Sequence, residues 1–375
     1  MARRKRVSAF VLGLMLIAGS VGGLFYNEMR SAGRIDALSE AEDSVISIQS
    51  GAVNPAAAGR LVHLVGAPRI TGLAKDPQFA VETEALRLDR RIEMYQWQEH
   101  SEGSGEERQT TYEKVWSQDL ISSDGFIRRQ GHANPQAMPV ASASFFPEAV
   151  EVGRYDVSPP VLAFMEADRS KTPDEPRDVA GLELRPHRGF LQSGTPGEPQ
   201  VGDIRASLVA AMADTVTVLG RAEGGSIVPW TASNGSGLTV MRAGAIDAGQ
   251  LIDEEYSANR KLTWGLRGAL ALAIFAGMMI IIRRLARTVP VIGALAANLL
   301  GPIAFVLALA IALVTIALGW LAFRPMLSLV LLGTAVVLVI ALRWMRAPTP
   351  EASFAHAARP PPPPSGTRTP PPPPH

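Results

Sequence analysis

The side chains between residues 26 and 263 that could do chemistry are few. They are His63, His100, His132 and His187, together with Ser193 and Ser236 in glycine-rich surroundings. The histidines are dispersed and none has a carboxylate at ligand spacing, so no metal site is expected from them. Serines flanked by glycine serve turns more often than acyl transfer. The chain has no phosphate-binding G-x-x-x-x-G-K-[ST], no H-E-x-x-H, no G-x-S-x-G and no dinucleotide-binding glycine pattern between strand and helix. With no cysteine anywhere, disulfides, thiol nucleophiles and thiolate-bound metals are excluded. No catalytic residue, cofactor or metal is therefore expected. The densest unusual segment is GHANPQAMPVAS, residues 131–142. His132 and Asn134 are its candidate pocket residues. The leading reading is a structural loop in which both bond to backbone, and the alternative is a pocket with His132 as acid or base.

The elements that would position these groups are dominated by a membrane. Residues 26–263 hold 34 of the 35 acidic and 23 of the 36 basic side chains, a net charge of −11 against +12 for the rest. Residues 7–25 carry no charge and follow Arg3, Arg4, Lys5 and Arg6. That is long enough to cross a hydrocarbon core of about 30 Å, and its length favours an uncleaved anchor over a signal peptide. A second span is expected over 264–282, with Arg267 snorkelling outward near its entry and Arg283, Arg284 and Arg287 past its exit. Residues 289–323 are uncharged, and as one helix would reach about 52 Å, too long for one crossing. A break at Gly301–Pro302 divides them into an interfacial helix, 289–300, anchored by Arg284 and Arg287, and a third span, 302–323. Arg324 and Pro325 turn the chain into a fourth span, 326–342, stopped by Arg343 and Arg346.

Basic residues in short flanks stay cytoplasmic. The clusters at 3–6, 283–287 and 343–346 fall on one side if both termini are cytoplasmic. Arg30, Arg34, Arg260, Lys261 and Arg267 dilute this signal but stand among acids such as Glu28, Glu254 and Glu255. Residues 26–263 then form one large extracytoplasmic domain. Asp, Glu, His and Lys are absent from the four spans, which disfavours a pump or coupled transporter. Gly268, Ala269, Ala271, Ala273, Ala276 and Gly277 suit close helix packing.

Within the large domain, residues 26–45 continue the first span as a helix and 247–261 lead as a helix into the second. Strand patterns cover 45–49, 59–67, 85–98, 111–116, 202–209 and 215–221. Alternation over 86–97 is imperfect, and a bulge near Arg90 and Arg91 would account for it. Prolines 159, 160, 173, 176, 186, 196 and 199 make 158–200 a poor candidate for regular structure beyond a helical turn or two at 161–166. The fold class is an α+β membrane protein: four transmembrane helices, one plus three, with a large strand-rich extracytoplasmic domain. The tail, 343–375, carries two runs of five prolines, 360–364 and 370–374, and reads as a polyproline spacer or groove ligand.

Several segments together carry a family resemblance: GRLVHLVGAPRI (59–70), EMYQW (93–97), GHANPQAM (131–138), VGDIRASLVA (201–210), TWGLR (263–267) and GWLAFRP (319–325). With them the chain resembles the LUMA family, transmembrane protein 43 and its bacterial relatives. The resemblance implies four spans, a large lumenal or periplasmic domain, self-association and organisation of partner membrane proteins, but no catalytic residue to carry over. Animal members are associated with the endoplasmic reticulum and inner nuclear membrane. Arginine usage, with only five lysines, favours a bacterial source and hence an inner membrane. The proline tail and shorter middle domain depart from the animal members. The expected partners are the lipid bilayer, further copies of the chain and other membrane proteins, with no nucleic acid.

Overall fold

The computed structural model describes residues 2–49, 51–102, 109–288, 300–321 and 325–344. The interfacial helix expected over 289–300, the turn at Arg324, Arg346 and the proline tail lie outside the described residues, apart from Leu300 itself. For Arg3, Arg4, Lys5, Arg6, Arg287 and Arg343 only the backbone is described.

The helices are α1 (Ala2–Ser44), α2 (Pro159–Leu162), α3 (Ala248–Thr288), α4 (Leu300–Trp320) and α5 (Pro325–Trp344). Three of them, α1, α3 and α4, are long and apolar enough to cross a membrane, and α5 contains a shorter apolar stretch, Ser328–Leu342. Gly301 and Pro302 lie within α4. At 43 and 41 residues, α1 and α3 exceed a bilayer: at 1.5 Å per residue each is about 60 Å long, so each runs on from its apolar half as a stalk.

The stalks carry a strand-rich domain of two larger sheets. The first runs in the order 46–48, 61–66, 216–223, 226–228, 155–157, 149–152 and 68–71, with 240–243 also pairing 216–223. Its pairings are antiparallel except 46–48 with 61–66 and 155–157 with 226–228. The second is built on the long strand Arg87–Glu102, flanked by Ile204–Ala211 and Gln109–Ser117. It extends through 190–192 and 182–187 to 177–179.

Each sheet has its own core. Leu64, Val218 and Ile227 surround the buried Tyr155 and Met165 in one, and Leu88, Ile92, Met94, Leu184, Leu191 and Leu208 pack in the other. A third cluster joins Ala37, Leu38 and Ala41 of α1 and Leu251 and Ile252 of α3 to Leu61, Leu219 and Leu238. At roughly 1.5–3 kcal/mol per buried aliphatic side chain, that cluster fastens the stalks to the domain.

The fold departs from two sequence expectations. There is no bulge at Arg90: residues 87–94 pair one-to-one with 211–204. The alternation is broken by charge instead. Leu88, Arg90, Ile92 and Met94 share one face, and the buried Arg90 is accommodated by Asp76, whose Oδ1 and Oδ2 accept from its Nη1 at 2.9 and 3.1 Å. Its guanidinium also lies over the rings of Phe79 and Phe145. The second departure concerns 158–200, which contains not only α2 but a run of antiparallel strands, 177–179, 182–187 and 190–192. Proline-based punctuation misled because the strands fall between prolines, and Pro186 itself is accepted opposite Leu191.

Candidate functional site at the membrane boundary

Helices α1 and α3 run antiparallel, with Gly13 against Gly277 near one end and Ser31 against Asn259 near the other. A Cβ on Gly277 would meet the Gly13 carbonyl oxygen at 2.8 Å and the Ile17 side chain at 2.8 Å. The absent side chains let the two backbones touch. Part of the small-residue content of α3 thus serves packing within the chain, while Gly265, Gly268, Ala269 and Ala276 lie on its exposed face.

Where the apolar halves give way to the stalks, α1, α3 and α4 are tied by a polar knot. Glu28, fully buried, accepts from Arg267 Nε at 2.8 Å and Nη2 at 2.6 Å. The indole Nε1–H of Trp320 donates to Glu28 Oε2 at 2.5 Å. Gly319 makes room: a Cβ there would lie 2.7 Å from Glu28 Cβ. Arg267 therefore does not snorkel outward as its position suggested. It makes a two-pronged bond to a carboxylate on another helix, the geometry for which a guanidinium is preformed, while stacking on Trp264 at 4.7 Å.

One turn further on, Arg30 Nη1 donates to Asn259 Oδ1 at 3.1 Å, and its Nη2 donates to Asn27 Oδ1 at 3.3 Å and Thr263 Oγ1 at 3.1 Å. Ser31, Asn259 and Thr263 bond among themselves. Arg34 pairs with Glu255 at 2.8 Å. Beside the knot is a cleft of about 360 Å³ lined by residues that include Ser31, Tyr256, Arg260, Trp264, Arg267 and Trp320. Burial holds the Tyr256 phenol above its ordinary pKa, with Glu42 and Asp43 adding to the effect, so it is a neutral hydroxyl at physiological pH.

The loop residues singled out in the sequence, His132 and Asn134, lie elsewhere, packed against Trp97 of the long strand of the second sheet. Asn134 is buried. Its Oδ1 accepts from the Trp97 amide at 2.7 Å, and its Nδ2 donates to the Trp97 carbonyl at 2.8 Å and the Ile121 carbonyl at 3.0 Å. The side-chain amide imitates a neighbouring strand. Gln96 does the same one residue earlier, accepting from the Ile121 amide and donating to the Asp119 carbonyl. His132 is half-buried, with Nδ1 2.9 Å from the Arg128 carbonyl and its ring stacked on Tyr112 at 3.8 Å and edge-on to Trp97 at 4.6 Å. Burial, then the bond to Glu99, raises the Tyr112 pKa.

His63 is buried between Ser47 Oγ and the Ile246 carbonyl, joining the exit of α1 to the approach to α3. Among the described residues no group of three or more His, Cys, Asp or Glu is placed to hold a metal. Of the arginines expected to anchor the helix ends, Arg283 is exposed and Arg284 half-buried at the end of α3.

Sequence reasoning missed Glu28. In the sequence it counts only as one of the acids standing among the basic residues at the outer ends of the spans, because nothing near it in the chain announces Arg267, 239 positions away, or Trp320, 292 away.

A strand-rich domain standing on helices that continue as membrane-length apolar segments, with a buried ion pair locking three of those helices at the boundary, defines a multi-pass membrane protein. The family model for transmembrane protein 43 matches residues 94–325. The chain is 33% identical over 358 residues to transmembrane protein 43 of Homo sapiens, covering 88% of each. It is 28% identical over 342 residues to the transmembrane protein 43 homolog of Drosophila melanogaster, covering 86% of this chain and 90% of that one. The chain belongs to the transmembrane protein 43 family. No solved structure matches it.

Proposed function

We propose that the protein is an integral membrane scaffold that self-associates and organises other membrane proteins, without enzymatic activity. It is placed in a bacterial inner membrane with both termini cytoplasmic and residues 26–263 periplasmic. The observation that carries the reading is the outward face of α3. Gly265, Gly268, Ala269, Leu272 and Ala276 recur at helical spacing on it, and no described residue lies within 4 Å of a Cβ built on Gly265 or Gly268. In lipid there is no hydrophobic gain from pairing helices, so close approach over small residues is the available source of affinity. The antiparallel α1 and α3 bring Arg3–Arg6 and Arg283–Arg287 to one end of the pair, opposite the acidic domain, which supports a cytoplasmic location for those arginines. The bonding of Asn134 and His132 into backbone and aromatic neighbours supports a structural loop there.

Extraction in mild detergent followed by mass measurement tests self-association. The expected result is a homo-oligomer that Gly268→Leu converts to monomer while the stalked domain stays folded. A monomer at every protein concentration would overturn the scaffold.

A further inference from the structure

We propose that the cleft beside the Glu28–Arg267 knot binds the phosphodiester headgroup of an anionic glycerophospholipid, in the leaflet nearest the strand-rich domain. The proposal goes beyond the scaffold reading and does not depend on it, since a monomer could hold the lipid equally well.

Charge is the first support. Arg260 and Arg267 line the cleft and Arg30 backs it through Asn259 and Thr263; among the described residues the carboxylate hydrogen-bonded to these three is Glu28, which Arg267 engages through Nε and Nη2. Arg30 is held by Asn27, Asn259 and Thr263, all neutral, and its Nε is buried with no hydrogen-bond partner. Glu255 is taken by Arg34. Asp253 and Glu254, further along α3, line a different hollow together with Lys261. A half-buried cation without a countercharge is costly, and a phosphate nearby would relieve that cost.

The lining is the second support. At about 360 Å³ the cleft offers the Ser31 hydroxyl and the Tyr256 phenol beside Arg260 and Arg267, while the Asn259 amide and the Thr263 hydroxyl, which also line it, are spent within the chain. Hydroxyl, phenol and guanidinium groups are donors of the kind that phosphate oxygens accept from.

Depth selects a lipid over a soluble anion. Trp264 and Trp320 both line the cleft, and Trp264, 64% exposed, opens the uncharged run of α3 apart from Arg267. Tryptophan at the first turn of a span marks headgroup level. A group entering the cleft sits where a lipid phosphate already is, with its acyl chains continuing along the span.

Native mass spectrometry of the full chain, loaded with an equimolar mixture of phosphatidylglycerol and phosphatidylcholine of matched acyl chains, tests the site. Preferential retention of phosphatidylglycerol is expected. Arg260→Gln, at an exposed side chain, should lower that retention about fivefold with an unchanged melting temperature, and Arg260→Lys should restore it. Equal retention of the two lipids, or an unaltered preference in Arg260→Gln, would overturn the proposal. Displacement of bound phosphatidylglycerol by soluble glycerophosphate would overturn the lipid identity and assign the cleft to a free phosphate ester.

Discussion

At the scale of single residues, the side chains that matter most are polar ones placed where apolar residues usually go. Glu28 and Arg267 satisfy each other in a buried setting. Removing either leaves the other uncompensated, at a cost of about 3–5 kcal/mol. Glu28→Ala and Arg267→Ala should each lower unfolding stability in detergent by that order, while the double variant loses clearly less than the sum. Additive losses in the double-mutant cycle would show that the pair is not coupled. Asn134 is a second case. Asn134→Ala strips the Trp97 amide and two carbonyls of their partners and should destabilise the domain by about 1–3 kcal/mol, read by chemical denaturation. His132→Ala removes one backbone bond and a stacking contact at a half-buried position and should cost less. A larger loss for His132 than for Asn134 would refute this assignment of weight.

At the scale of elements, the stalks are held by both apolar and polar fastenings. Glu40 on α1 accepts from the Ser233 hydroxyl at 2.6 Å and from its amide at 3.0 Å, and these bonds, the hydroxyl first, pull its pKa below the ordinary range. A depressed carboxylate contributes stability that is fully present above its unfolded value and is lost as the pH falls through the folded one. Ser233→Ala should therefore be less stable than the parent at neutral pH, with the gap closing below about pH 5. A gap that persists unchanged to low pH would mean that Glu40 is not its source. The glycines at the crossing of α1 and α3 act by absence, since any side chain at Gly277 collides with Gly13 or Ile17.

At the scale of the whole molecule, the prediction is topological. The cysteine-free chain allows single cysteines to report location without background. His100, exposed on the second sheet, and Gln118, exposed just past the strand 109–117, should label with an impermeant thiol reagent in intact cells when replaced by cysteine. Gly366→Cys, in the proline tail, should label only after permeabilisation. Labelling of position 366 in intact cells would place the C-terminus outside and reverse the proposed orientation.

What the sequence determined by itself was whatever depends on local composition. Uncharged runs long enough to cross a bilayer, the helical continuation into stalks, and strands expected at 59–67, 85–98, 202–209 and 215–221, within a few residues of the observed ones, were legible because hydrophobic length and alternation are carried by neighbours in the chain. The segments TWGLR and GWLAFRP were visible as well, but not that Arg267 of one and Trp320 of the other meet on Glu28. Nor could alternation alone reveal that Arg90 is paid for by Asp76 rather than by a bulge, or that short strands thread the prolines of 177–192. Those features were decided by tertiary structure, because a buried charge, a side-chain amide standing in for a strand and a glycine crossing are each defined by a partner far away in sequence. Local pattern says which groups must find a partner, and only the folded chain says which partner is within reach.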